Sequence, residues 1–191
     1  PGDLTPTRAV TRVIDIPYKK LRAERLREAH EVIASGADDY RRVFAANAIL
    51  LDEMSKISPT LAVELQAVQI GPLVVVSSPG FVFCQFGLDT KSASKFPYTF
   101  VATFANGDIG YVPTDDAYGP GGGGYEQRNA KVGPGAGRQI QETWLELIEG
   151  LEPGAVPATE TYDPWPDEGL PIGSAGARSP WNYGAVGPDD L

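Results

Sequence analysis

Residues 61–77 read LAVELQAVQIGPLVVVS, and this stretch decides the fold. Leu61, Val63, Leu65 and Ala67 alternate with Ala62, Glu64 and Gln66, the period-2 pattern of a strand with one wet face. Gly71-Pro72 then turns the chain into a continuous apolar run over residues 73–77, which suits a strand covered on both sides. A β-hairpin is predicted.

Upstream of the hairpin, residues 12–17 alternate weakly and predict a short strand. Residues 21–35 then place Leu21, Leu26, Ala29 and Ile33 on an otherwise charged segment, an amphipathic helix. The stretch from Gly36 to Asp39 breaks that helix and offers a cap for a second one. In the second helix Tyr40, Val43, Phe44, Asn47, Leu51 and Met54 fall at helical spacing, and this aromatic and methionine stripe reads as core.

Downstream, Ser78-Pro79-Gly80 closes the hairpin, and residues 81–92 predict a helix with Phe81, Cys84, Gln85 and Leu88 on one side. A strand is expected over 98–105, a tight turn at Asn106-Gly107, a short strand over 109–112, and a closing helix over 139–151. In the last of these Ile140, Trp144, Leu147 and Ile148 recur at spacings of three and four. The order of elements is α+β (mixed α/β): a helix pair plus a mixed sheet with flanking helices.

With 16 Lys+Arg against 25 Asp+Glu, the formal charge of -9 removes the basic footprint that phosphate backbones require, so nucleic acid is not an expected partner. The longest apolar runs fall far short of the roughly 20 residues that span a bilayer. The chain reads as soluble, with the cytoplasm slightly favoured. The composition suits one sizeable core, expected over residues 1–151. Residues 152–191 differ: seven prolines, six glycines and seven acids stand against the single base Arg178. This acidic tail is expected to be extended, with Tyr162, Trp165, Trp181 and Tyr183 as aromatic anchors able to pack onto a surface.

Few residues offer chemistry. The single cysteine, Cys84, is flanked by Phe83, Gln85 and Phe86 and reads as a buried structural thiol. The single histidine, His30, lies at the margin of an apolar stripe and reads as a half-buried surface residue; no metal cage or triad can be built on one ring. The run GPGAGR over 133–138 lacks the ending of a phosphate loop and reads as a helix cap. The glycines at 121–124 are a lid hinge or simple slack. Asp89, Asp115 and Asp116 read as solvated. The site candidate is the join of strand and glycine-rich loop over 100–126, where a rigid strand presents Tyr111 beside a mobile cover.

The ordered series IPYKKL, LAVELQAVQIGPLVVVSSPGFVFCQFGLDTK, FPYTFVATFANGDIGYVPTDDAY, GGYE and PGAG followed by a helix resembles the C-terminal half of the catalytic domain of the neutral/alkaline (non-lysosomal) ceramidase family and its bacterial relatives. The resemblance covers roughly residues 10–151. It implies part of a larger ceramidase-like domain and a zinc-dependent amide (N-acyl) hydrolase using a metal-activated water. It makes Tyr111 the metal-binding and catalytic tyrosine, with Tyr125, Tyr118 and Gly123 as substrate-wall candidates beside Phe83. The family's two histidine ligands lie in an N-terminal half, so zinc would be ligated mainly from outside this chain, and a second polypeptide supplying that half is the expected partner. That half could be a separate subunit, a cleaved segment or simply outside this fragment, and homo-oligomerisation of the assembly is left open. The family's glutamate ligand falls on Phe81, whose ring has no lone pair for zinc. A non-catalytic structural or binding subunit is therefore the alternative expectation.

Overall fold

A computed structural model describes residues 6–36, 39–122 and 124–156. Gly123 and the aromatic anchors of the tail lie outside the described residues. A four-stranded sheet is built from β1 (Thr7–Pro17), β2 (Thr60–Ile70), β3 (Leu73–Ser77) and β5 (Tyr98–Ala102), in that order. β1 and β2 pair antiparallel from Thr7↔Ile70 to Pro17↔Thr60, β2 and β3 form the predicted hairpin, and β5 runs parallel to β3. β4 (Gly80–Val82) and β6 (Gly110–Val112) form a separate parallel pair. The architecture is a mixed α+β fold.

β1 has eleven residues, longer than the short strand expected. Its alternation is masked because most of its side chains stay exposed, so the partner strand extends it where patterning does not.

The two faces of the sheet differ. Val63, Leu65, Ala67, Val74 and Val76 are fully buried on one face, against α5 (Ala136–Glu149), which packs across β1, β2 and β3. On the other face the register aligns Ala9, Val68, Val75 and Phe100 in one row and Thr7, Ile70, Leu73 and Tyr98 in the next. These rows, apolar except for Thr7, are half-buried or exposed throughout.

α5 starts where Gly135 adopts φ 87°, a left-handed conformation that glycine reaches without a Cβ penalty. Asp115 accepts from its backbone N–H at 2.6 Å and ion-pairs with Arg138, so this carboxylate is engaged and not merely solvated. Trp144 is completely buried and its indole Nε1 donates to the Ser77 carbonyl at 2.8 Å. That bond fixes the helix to the end of β3. Gly137 has a steric reason to be glycine, since a Cβ there would meet the Phe86 ring at 2.2 Å.

α1 (Ala23–Ala34) and α2 (Tyr40–Ile57) pack on each other through Ala29, Ala45 and Ala48 as a cluster apart from the main core. Asp39 caps α2 by accepting from the Arg41 N–H at 2.9 Å. The buried stripe of α2 runs through the alanines and Leu51, and Tyr40 and Val43 are exposed. The expectation that the aromatic stripe is core is corrected in that respect: small side chains let the helices approach closely, and the larger ones are displaced outward. His30 is also exposed and not half-buried.

The helix predicted over 81–92 begins later. Gly80–Val82 is strand, and α3 (Cys84–Ala93) follows. Cys84, Gln85 and Leu88 share the exposed side of α3, because Phe86 and Thr90 point inward, and Phe81 belongs to the strand and not to that helix face. Cys84 is exposed, contrary to the buried thiol expected from its apolar neighbours.

Candidate functional site

The site is assembled on the β4–β6 pair. Gly80 is the enabling residue: a Cβ would meet Val112 Cγ2 at 2.7 Å and Ile109 Cγ1 at 2.9 Å, so only glycine lets the strands approach. The register is Gly80↔Gly110, Phe81↔Tyr111 and Val82↔Val112. Val82 and Val112 are buried, and strand alternation turns Phe81 and Tyr111 together to the opposite side. Their ring centroids are 5.3 Å apart at an interplanar angle of 71°. Phe81 is 43% exposed and Tyr111 half-buried.

The connection into β6 carries two non-glycine residues at positive φ, Phe104 and Asn106 at 56° and 66°. The Asn106 amide donates to Glu64 Oε1 at 3.1 Å, and Asp108 Oδ1 accepts from the Gly110 N–H at 2.6 Å. These bonds hold the turn expected at Asn106-Gly107 and set the Phe104 ring 5.3 Å from Phe81.

On the far side, α4 (Tyr125–Asn129) follows the glycine-rich loop. A Cβ on Gly122 would meet the Asp116 carbonyl at 2.3 Å, so close folding of this loop on the 3-10 turn Asp115–Tyr118 requires glycine there. Tyr125 then contacts Tyr111 and Phe44, each at 5.8 Å and edge-on, and Phe44 contacts Tyr40 at 6.2 Å. Six rings therefore form one chain of contacts: Tyr40, Phe44, Tyr125, Tyr111, Phe81 and Phe104. Tyr125 is 58% exposed and Tyr40 69%. Phe81 and Phe104 are exposed as well, whereas Phe44 and Tyr111 are half-buried.

Of the residues expected at the site, the structure brings Tyr111 and Tyr125 together. Tyr118 stands apart from this chain of rings: its hydroxyl donates to the Val132 carbonyl at 2.7 Å, and burial, with Asp115 nearby, pushes its pKa up. Phe83 packs at the edge of the main core. Tyr40, Phe44 and Phe104 were not among the sequence candidates; the exposure of the first followed from the alanine spacing of α2, which a stripe of larger residues conceals.

Lys19 supports the site from below. Its ammonium donates to the Gln127 carbonyl at 2.8 Å and the Arg128 carbonyl at 3.4 Å, at the C-terminal end of α4, where cations are favoured. Burial, with Arg25 nearby, still lowers its pKa to about 8.

No group of three or more His, Cys, Asp or Glu side chains suited to a metal occurs among the described residues. The rings of Phe81 and Tyr125 flank Tyr111, and the Gln85 amide donates to Asp89 Oδ1 at 2.7 Å. These residues do not by themselves fit a zinc ion, which calls for several N, O or S donors.

No family model matches the chain, and no curated protein matches it. One solved structure, described as "Ceramidase complexed with C2", is similar over 51% of this chain and 17% of its own, with 22% identity and a TM-score of 0.41. The chain thus spans less than a fifth of that structure's length. Among the described residues no helix is long and apolar enough to cross a membrane.

Proposed function

We propose that this chain is a binding subunit of ceramidase-like ancestry whose aromatic surface is covered by a second polypeptide, one supplying the rest of a ceramidase-like domain. The carrying observation is the Phe81–Tyr111 pair. Where the sequence resemblance places a carboxylate beside a tyrosine, the chain places a phenyl ring in register with it. That exchange removes an oxygen donor and adds apolar contact area, which favours association over Lewis-acid chemistry. Affinity purification of the tagged chain from its native cells tests this. Expected is a stoichiometric partner whose recovery is lost with Tyr125→Ser or Phe81→Ser, while zinc stays at background.

The second reading is a catalytic half that lends Tyr111 to a zinc site completed by the partner. It is favoured by the Tyr111 hydroxyl, which makes no hydrogen bond to the described residues, and by the resemblance of NGDIGYVPT. Stoichiometric zinc in the purified assembly, with hydrolysis of an N-acyl amide that Tyr111→Phe abolishes, would establish it over the first.

A further inference from the structure

Next to the ring series lies a groove of about 530 Å3 between the second half of α1 and the first turns of α2. Val32, Phe44 and the buried Ala45 line it, with Tyr40 beside them. Its rim is charged, and the charges pair locally: Arg25 with Glu28 at 3.9 Å, Arg27 with Glu31 at 3.8 Å, and Arg41 with Asp39 at 2.8 Å. Arg128 differs. Its guanidinium carbon lies 5.9 Å from the centre of the Phe44 ring, and no carboxylate of the described residues lies within ion-pair distance of it. One uncompensated positive charge thus stands over an aromatic floor, in a chain of formal charge -9.

We infer that this groove takes a polypeptide anchor in which a bulky apolar side chain neighbours a single carboxylate. The apolar group covers Phe44 and Ala45, and the carboxylate accepts from the guanidinium fork of Arg128, the geometry that arginine matches best. Glu28 and Glu31, each already held by an arginine, disfavour a second acid at the α1 side. Aromatic and arginine groups at a partly desolvated centre are where interface energy concentrates. The inference rests on the binding-subunit reading and names the chemistry of its partner.

Capped Trp-Asp, Trp-Lys and Ser-Asp peptides titrated into the full chain and followed by 1H–15N NMR provide the test. Expected are shifts at the Phe44, Ala45 and Arg128 amides with Trp-Asp, at an affinity about tenfold above either control. Arg128→Gln should remove that advantage, and Arg42→Gln, at an exposed residue of α2 that does not line the groove, should leave it. Equal affinity for Trp-Lys, an Arg128→Gln variant that binds unchanged, or shifts located elsewhere would each overturn the inference. Should the peptides fail while Phe81→Ser still releases the partner in purification, this inference falls and the binding-subunit reading stands; loss of both results removes both.

Discussion

Phe81 and Tyr111 occupy one register position on two parallel strands, 5.3 Å apart and edge to face. Their pairing predicts the effect of restoring a carboxylate. Phe81→Glu forfeits ring contacts with both Tyr111 and Phe104, each worth about 0.5–1.5 kcal/mol, so a loss of about 1–3 kcal/mol is expected in urea unfolding. Zinc measured by elemental analysis stays at background, because one added carboxylate beside one tyrosine is too few donors. Stoichiometric zinc in this variant would count for the catalytic reading.

Gly137→Ala should destabilise the fold by about 1–3 kcal/mol, the usual range for overpacking, because the new methyl enters the Phe86 ring. Shrinking that ring should relieve it. On a Phe86→Leu background the same change is expected to cost less than about 1 kcal/mol. Thermal unfolding of the four members of this cycle measures the coupling.

Trp144→Phe deletes the indole donor and leaves the Ser77 carbonyl without it at a buried position. A loss of about 2–3 kcal/mol is expected from the unpaired acceptor and the reduced volume. Chemical denaturation reads it, with an unchanged slope showing that the unfolding transition remains the same.

The pH dependence has a defined sign. Lys19 titrates near 8 in the fold against 10.5 for an ordinary lysine, so between these values the unfolded chain binds more protons and folding stability rises with pH. Tyr118 acts oppositely: its folded pKa lies above the ordinary 10.0, so its contribution is intact below pH 10 and is lost above it. Stability is therefore expected to climb from pH 8 and turn down above 10. Lys19→Met should flatten the climb, as followed by urea unfolding at stepped pH.

The hairpin, the closing helix and the Asn106-Gly107 turn were legible because local periodicity and turn chemistry agree with the tertiary outcome. α5 shows this best: Ile140, Trp144, Leu147 and Ile148 are all buried as their spacing predicts. The strand at Phe81 was not legible, since its pairing partner lies 30 positions away at Tyr111 and the following helical pattern runs back over it. Cys84 and Tyr40 misled for a related reason. Hydrophobic neighbours say that a face exists, and only the packing decides which way it turns. Of the ring series, Tyr111 was singled out by the join of strand and glycine-rich loop and Tyr125 with the family resemblance, whereas Phe44 and Phe104 arrive from elements that no local pattern connects to them.

α1 and α2 are inserted between two strands that pair along their entire length, yet they bury their alanines in a cluster of their own. Such an insertion can open without unzipping the β1–β2 ladder. Amide hydrogen exchange should accordingly resolve two protection classes, with the helix pair releasing its protons earlier than α5 and the central strands. The segment bearing Tyr40 and Phe44 would then be the adjustable jaw of the surface, and Phe81 and Tyr111 its fixed one.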